Sequence, residues 1–372
     1  MSIYTTPLQF GYFLALLMAI LLGVRGYKEE RLSDKMLGSV LFLLAMEIQD
    51  YTFDFAGINV LWNELNGFPR GTALLFGPAV YFYLRSQLNR GFKLGRRHFW
   101  HLLPWLIPFI IDLTIFLNGA HVVQEWQNST LHSYLTIPRQ LILWASYIYY
   151  FTLSLRLYWQ YREWAKHQFS NQDLISFIWF RNLLYFMIFG ILFKESMGMI
   201  DGFFNLDFYQ DWWWNLAMVA IIFYVAIWGY AQIQPAQIRF KTNGNIEPGK
   251  DKKLVAENLG IWKNKIQELM EDKKPYLEPQ LNLKSLATKL KTNPSILSAA
   301  INQNFKKNFN DLINEYRVNE YLKLSKQEKY DHYTLLALAL ECGFNSKSTF
   351  NRTFKKITGR TPKEVKNTIL TL

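Results

Sequence analysis

The first 231 residues alternate between long apolar stretches and short polar segments. In the rest of the chain, apolar residues recur at spacings of three and four, which is the pattern of short amphipathic helices. A helix needs about 20 mostly apolar residues to cross the hydrocarbon core of a bilayer. Seven stretches approach that length and predict membrane-spanning helices at residues 8–24, 36–54, 71–88, 99–118, 134–158, 179–203 and 212–231. The second and sixth of them also contain charged residues, whereas the first is uncharged throughout.

The loops between these stretches differ in positive charge, and the difference predicts their orientation. The loops after the first, third and fifth stretches are rich in Lys and Arg, for example Arg25, Arg97 and Lys166. The alternate loops hold almost no positive charge. Because cytoplasmic loops retain the excess of Lys and Arg, we expect a multi-pass protein of the inner (cytoplasmic) membrane. Its N-terminus lies outside and residues 232–372 lie in the cytoplasm. No charge precedes Arg25, which argues against a cleaved signal peptide.

Charge separates the two parts of the chain at about Pro235. The formal net charge of +12 is carried almost entirely by the last third, since residues 1–235 hold 16 Lys/Arg and 15 Asp/Glu. An apolar, near-neutral part is thus followed by a basic, polar part, and the latter suits a polyanionic partner. Cys342 is the only cysteine, which excludes an intrachain disulfide and a Cys-based zinc cluster.

Residues 232–275 form a predicted connection between the two parts. Residues 232–250 contain Pro, Gly and Asn without apolar periodicity and predict a linker. An amphipathic helix is predicted next, with an apolar stripe made of Leu254, Ile261, Trp262, Ile266, Leu269 and Met270. Its partner is the following domain, another subunit or the membrane surface. We therefore divide the chain into residues 1–231, 232–275 and 276–372.

Well-marked helix caps predict two helix-turn-helix units after residue 276. A first helix ends near Leu290, and Asn293 caps a second helix that has Pro294 at its first position. A longer helix is expected over about 310–324. Further on, Thr334 caps a short helix that Gly343 stops in the left-handed conformation.

The next helix has Asn345 or Ser346 as its cap. Phe350 and Phe354 are four residues apart and face inward, so the polar and basic residues between them face outward. Thr361 and Glu364 then form a capping box for a last helix. The predicted fold class is all-α, with a seven-span transmembrane bundle and a C-terminal helical domain containing two helix-turn-helix units.

The segment ALECGFNSKSTFNRTFKKITGRTP resembles the C-terminal signature of AraC-type transcription regulators. The matching residues are Ala339, Gly343, Phe344, Ser346, Phe350, Arg352, Phe354, Lys355, Lys356, Gly359 and Pro362. An upstream half that includes Leu286, Leu297 and Tyr316 to Val318 resembles the first unit of the same domain. The resemblance covers about residues 276–368 and implies binding of double-stranded DNA. The first part of the chain resembles, more loosely, bacterial seven-span sensor modules.

This resemblance and the helix-turn-helix geometry select the expected DNA-binding residues. The second helix of each unit enters the major groove and presents its N-terminal side chains to the bases. The candidates are Ser295, Ser298, Ala299 and Asn302 in the first unit, and Lys347, Ser348, Thr349, Arg352, Lys355 and Lys356 in the second. Arg352 can grip a guanine, whereas Thr349, Lys355 and Lys356 suit phosphates. Since Ala299 offers only a methyl group, we expect the second unit to dominate sequence choice. Lys306 and Lys307 replace a glycine-containing turn of the family, which leaves that turn undetermined.

Charged residues within the predicted spans form a second candidate site. The candidates for a ligand pocket are Glu47, Asp50, Asp112, Arg139, Lys194 and Glu195. Charges in hydrocarbon are costly, so they pair with one another or line a wet cavity. An outward-open pocket for a polar ligand and a set of structural ion pairs both remain open.

The functional expectation is a membrane-bound, sequence-specific transcription regulator that couples an extracytoplasmic or membrane signal to gene expression. We expect no enzymatic activity, metal or cofactor, because the six histidines form no catalytic or metal-binding spacing. The expected partners are DNA, the lipid bilayer, an unidentified small ligand or membrane partner, and, as an open alternative, a second copy in a homodimer. A transporter or channel with a basic regulatory tail, an intramembrane enzyme using the carboxylates of the second span, and release of the DNA-binding domain by proteolysis are further alternatives.

Overall fold

The computed structural model describes residues 6–57, 65–170, 177–204, 212–231 and 259–370, and the secondary structure of these residues is helical. They form two compact units. The first contains residues up to Tyr158 together with 178–240, and the second contains 159–177 together with residues from 241 onward. The predicted linker at 232–250 and Leu254 of the predicted stripe lie outside the described residues. The predicted all-α class is confirmed for the part of the chain that is described.

Each of the seven predicted spans contains a helix of the first compact unit, and one short additional helix lies between the fourth and fifth spans. The helices are α1 (Thr6–Lys28), α2 (Leu32–Ala56), α3 (Ala73–Leu88), α4 (Leu103–Leu117), α5 (Ala120–Gln127), α6 (Thr130–Gln168), α7 (Ile178–Phe204) and α8 (Trp212–Tyr230). A 3-10 turn at Arg96–Leu102 leads directly into α4. The sequence did not predict α5, and α6 continues ten residues past the end of its predicted span, so that its last turns belong to the second unit.

Four of these helices are long and apolar enough to cross a membrane. They are Thr6–Lys28, Arg96–Leu117, Ile178–Asp201 and Trp212–Tyr230. The count of seven is therefore not supported by helix length and hydropathy. Helix α3 has only 16 residues, and α2 carries charged side chains such as Asp34 and Glu47 along its length. In α6 the apolar residues are mixed with polar and charged ones, so that its mean hydropathy is low.

Large apolar side chains are exposed mainly on the first unit. Among the described residues, only four exposed large hydrophobic side chains belong to the second unit: Trp159, Ile261, Leu340 and Ile357. The others lie on helices of the first unit, where Phe13, for example, is 62% exposed. So many exposed large apolar side chains are typical of a protein that contacts lipid or another apolar partner.

The second unit contains short helices with well-defined ends. They are α9 (Leu259–Asp272), α10 (Leu283–Lys289), α11 (Pro294–Phe305), α12 (Phe309–Leu324), α13 (Leu335–Glu341), α14 (Lys347–Thr358) and α15 (Pro362–Leu370). Helix α9 turns Ile266 and Met270 into a core that also contains residues of α10, α11 and α12. Of the three partners considered for the predicted amphipathic helix, the structure shows the following domain.

The predicted caps are confirmed by hydrogen bonds at the starts of the helices. Asn293 accepts a hydrogen bond from the backbone N–H of Ile296 (2.8 Å), and Thr334 does so from Ala337 (3.1 Å). Ser346, rather than Asn345, caps α14 by accepting from the backbone N–H of Thr349. The capping box of α15 is also present, because each member of the pair Thr361 and Glu364 bonds the backbone of the other.

Helix α12 connects the two helix-turn-helix units and contributes to both of their cores. Its first half supplies Phe309 and Ile313 to the core around α10 and α11. Its second half supplies Val318 and Tyr321 to a separate core that contains Phe350 of α14. Because one helix belongs to both cores, the two recognition helices are held at a fixed spacing.

Candidate nucleic-acid interface

The recognition helix of the first helix-turn-helix unit, α11, offers few polar groups to a partner. Asn302 is exposed, whereas Ser295 and Ala299 are partly buried. Ser298 was predicted to be exposed, and that prediction is wrong, since only 6% of its surface is accessible. It is buried because it shares a face of the helix with Ile301, which belongs to the core. Helix α11 therefore contains no cationic side chain, and Lys306 directly follows its last residue.

The turn after α11 is formed by Lys306, which adopts the left-handed conformation with a φ of +55°. Glycine is the usual residue at this place because a Cβ atom is strained there. The turn that the sequence left undetermined is therefore of the ordinary helix-ending type, with an unfavourable residue in it.

The recognition helix of the second helix-turn-helix unit, α14, presents a strongly basic face. Its exposed polar residues are Lys347, Ser348, Asn351, Arg352, Lys355 and Lys356, and Ile357 is exposed as well. Phe350 and Phe354 point inward and are at most 1% exposed, as predicted. The N-terminal cap at Ser346 leaves the first turn intact, so that Lys347 and Ser348 are displayed at the end that enters a major groove.

Two residues near this face differ from the expectation. Thr349 was expected to reach a phosphate, but only 7% of it is exposed, and its hydroxyl lies 3.2 Å from that of Ser346. Lys356 is exposed and forms an ion pair with Asp311 of α12 (2.7 Å). The residues that combine exposure with the expected polar chemistry are therefore Lys347, Ser348, Arg352 and Lys355, with Lys356 already paired to a carboxylate.

A buried arginine fixes the junction between the two helix-turn-helix units. Arg317 of α12 is 1% exposed and donates from Nε to the carbonyl oxygen of Tyr276 (2.7 Å) and from Nη2 to that of Glu278 (2.9 Å). Burial lowers the pKa of its guanidinium to about 10. Gly343, with a φ of +87°, lies against the same carbonyl group of Tyr276. The backbone that starts the second recognition motif is thereby packed on α12.

The charged candidates in the first compact unit, which contains the predicted spans, are arranged as separate pairs. Glu47 of α2 and Lys194 of α7 are 2.5 Å apart, and Asp112 of α4 and Arg139 of α6 are 2.9 Å apart. Asp50 pairs with Arg70 in the loop before α3 (3.2 Å). The backbone of Glu195 is part of α7, but its side chain lies outside the described residues.

The pair of Glu47 and Lys194 borders a cavity. A space of about 70 Å³, enough for about two water molecules at ~30 Å³ each, is lined by Glu47 and Lys194 together with apolar side chains of α2, α3, α6 and α7. Among the five candidates whose side chains are described, the structure shows separate ion pairs, where the sequence left ion pairs and a ligand pocket open. A pocket at Glu47 and Lys194 stays a prediction.

The sequence interpretation missed a charged cleft beside α14. Lys307, Asp311 and Glu315 line it from α12 and the preceding turn, and Arg352 lines it from α14. Further residues come from the last turns of α6, among them Arg162. The sequence analysis used the positive charges of that segment only to orient the chain, and no spacing in the sequence links them to α14.

Residues 286–368 match the family model of a helix-turn-helix domain. This range begins within α10 and ends within α15, so it contains both helix-turn-helix units described above. No match was found among curated proteins or among solved structures. Residues 286–368 thus form a helix-turn-helix domain, which supports a DNA-binding transcription regulator.

Proposed function

We propose that this protein is a membrane-bound, sequence-specific transcription regulator that converts an extracytoplasmic or membrane signal into a change of gene expression. The observation that carries the proposal is the presence, in one chain, of a helix-turn-helix domain and of four helices with the length and hydropathy of membrane spans. In this proposal all seven apolar stretches cross the bilayer, with α2 and α3 largely covered by neighbouring helices and the exposed apolar side chains of α6, such as Ile137 and Leu141, facing lipid.

Contacts within the first compact unit support the proposed orientation. Arg25 near the end of α1 forms an ion pair with Asp34 of α2 (2.7 Å) and donates to the carbonyl oxygen of Tyr230 at the end of α8 (2.8 Å). The end of α1 and the end of α8 are therefore neighbours. An N-terminus outside and a DNA-binding domain in the cytoplasm require both ends to lie on the cytoplasmic side.

In the proposed division of labour, α14 reads the base sequence and α11 positions the domain. The support is the contrast between the exposed Arg352 and Ser348 on α14 and the partly buried Ser295 and Ala299 on α11. A bidentate arginine contact with guanine discriminates against the wrong base by about 1–3 kcal/mol. Phosphate contacts from Lys355 add affinity that is independent of sequence and decreases with salt.

Selection of binding sites from a random duplex library by the full-length protein in lipid nanodiscs tests this proposal. We expect one enriched sequence motif. Arg352→Ala should relax the preference at one or two positions of that motif, whereas Lys355→Ala should weaken all duplexes alike and reduce the salt dependence by about one counterion. Asn302→Ala on α11, the helix proposed to position the domain, should leave the motif unchanged even if it weakens the binding of all duplexes. The proposal fails if no motif is enriched, or if Arg352→Ala leaves the preference as it was.

A further inference from the structure

The end of α6 is bonded to the helix-turn-helix domain through Ser170. The backbone N–H of Ser170 donates to the carbonyl oxygen of Leu281 (3.2 Å), and its hydroxyl donates to the same oxygen (2.6 Å). Only 1% of Ser170 is exposed. A serine in a connecting segment is ordinarily solvated, so this burial shows a specific seat on the domain.

Helix α12 supplies the other half of this seat. Asn310 donates from Nδ2 to the carbonyl oxygens of Phe169 (3.2 Å) and Ser170 (2.6 Å). Arg317 donates from Nη2 to the hydroxyl oxygen of Ser170 (3.2 Å). Asn310 and Arg317 are seven residues apart and therefore lie on one face of α12. Every polar group of Ser170 is thus bonded to the domain, and the buried guanidinium of Arg317 obtains a third acceptor.

The same segment forms one wall of the cleft beside α14. The cleft has a volume of about 550 Å³, and Arg162, Glu163 and Lys166 of α6 face Arg352 and Lys356 of α14 across it. Lys166 pairs with Glu163 (2.7 Å), so the positive charge of Lys166 is neutralised by a carboxylate of the same helix.

This wall limits the access of DNA to α14. A recognition helix fills a major groove about 12 Å wide, and a phosphate ridge lies along each of its flanks. Thr353 and Lys356 on one flank of α14 line the cleft and hence face the end of α6. In addition, Lys356, which is expected to contact a phosphate, is held by Asp311.

We propose that residues 159–170, the α6 docking segment, bind the surface formed by Leu281, Asn310 and Arg317 and thereby hold the domain in a state of low DNA affinity. The inference rests on the proposed function, since it assigns α14 to DNA. The partner of this surface is the chain itself. Helix α6 is continuous from Thr130 to Gln168, so a displacement of its membrane part moves Ser170 and releases the domain.

The docking is tested first without DNA, by hydrogen exchange of the full-length protein in nanodiscs. The amide of Ser170 should be protected. Asn310→Ala removes its two hydrogen bonds to the α6 docking segment, each of which changes an equilibrium about two- to twelvefold, and should accelerate this exchange at least fivefold. It also removes the hydrogen bond that Asn310 accepts from Asn314 (3.1 Å) within α12. Asn319→Ala, on the exposed side of the same helix, is the matched control and should change nothing. Rapid exchange of Ser170 in the unaltered protein would overturn the docking.

The consequence for DNA is tested with the duplex enriched by the library selection. Asn310→Ala and Ser170→Ala should each bind that duplex at least fivefold more tightly than the unaltered protein, because they raise the fraction of molecules in the competent state. Ser170→Ala lies outside the helices of the domain and keeps the test valid if Asn310→Ala fails to fold.

Each outcome distinguishes the two proposals. If Ser170 is released but duplex affinity stays the same, the inference is wrong and the proposed function stands. If affinity falls, the α6 docking segment belongs to the DNA-binding surface through Arg162 and Lys166, which also overturns the inference. If the unaltered protein and both variants bind all duplexes equally, the proposed function fails, while the exchange measurement still reports the docking.

Discussion

Substitution of Gly343 by alanine tests the junction between α12 and the second helix-turn-helix unit. Gly343 has a φ of +87°, a conformation in which a Cβ atom is strained. The added Cβ would lie 2.5 Å from the carbonyl oxygen of Tyr276 and 3.0 Å from Nε of Arg317. Those two atoms form a 2.7 Å hydrogen bond with each other, so the methyl group must displace a buried, charged interaction.

The expected cost follows from these two effects. The left-handed conformation costs a residue with a Cβ atom about 1–2 kcal/mol. Weakening the hydrogen bond of a buried charged donor adds about 1.5–3 kcal/mol. Together they lower the free energy of unfolding of the second helix-turn-helix unit by about 2.5–5 kcal/mol, which is at least about a sixtyfold change in the opening equilibrium at about 1.4 kcal/mol per tenfold.

Thiol labelling of Cys342 in the full-length protein measures that equilibrium. Cys342 is the only cysteine of the chain and has no exposed surface. Burial raises the pKa of its thiol to about 12, so the closed state presents almost no reactive thiolate. Labelling therefore proceeds through opening of the core around Phe350. The intrinsic rate of each variant is taken from labelling in denaturant.

Gly359→Ala is the matched control for this prediction. Gly359 has a φ of +75°, but a Cβ placed there has no atom within 4 Å. It should suffer the conformational cost alone and label about five- to thirtyfold faster than the unaltered protein, as 1–2 kcal/mol corresponds to that range. If Gly343→Ala labels no faster than Gly359→Ala, the clash with Tyr276 does not matter and the described junction is wrong.

Three other perturbations have defined outcomes. Lys306→Gly should slow hydrogen exchange in α11 about fivefold, since glycine removes about 1 kcal/mol of left-handed strain; an unchanged rate contradicts a strained turn. Glu47→Gln should lower the thermal unfolding midpoint by several degrees because Lys194 loses its carboxylate, and adding Lys194→Met should recover most of the loss; equal melting of both variants refutes the ion pair. The backbone N–H of Thr361 holds the pKa of Glu364 below its ordinary value of 4.5. The stabilisation of α15 is therefore complete above 4.5 and lost as the pH falls through the lowered pKa, and amide exchange in Glu364→Gln should lack this dependence.

The DNA-binding domain could be predicted from the sequence because its signals are local. A cap, a first-turn proline or a left-handed glycine acts on the four or five residues beside it, and Asn293, Thr334 and Gly343 behave as their types demand. The choice between Asn345 and Ser346 as a cap required the structure, because both residue types accept the same hydrogen bond.

Burial on the recognition helices was less predictable. Ser298 and Thr349 are polar and lie next to residues that face outward, yet both are covered. What covers them is tertiary packing against neighbouring helices, and a pattern within one helix contains no information on it. The same reason explains why the sequence did not separate a ligand pocket from the ion pairs of Glu47 and Asp112.

The α6 docking segment was beyond sequence reasoning altogether. Ser170 and Asn310 are 140 residues apart and neither belongs to a motif. The charges of Arg162 and Lys166 were explained by the membrane orientation, which left no unexplained feature to follow. Contacts between remote parts of a chain are determined by the assembled fold, so only the structure brings these residues together.

A map of the DNA sites occupied by the full-length protein in intact cells tests the central claim most directly. The sites should be cross-linked to protein recovered in the membrane fraction, should share one sequence motif, and should be lost or redistributed in Arg352→Ala. Occupancy that follows DNA abundance without a motif, or sites cross-linked only to protein outside the membrane fraction, would contradict a membrane-bound, sequence-specific regulator.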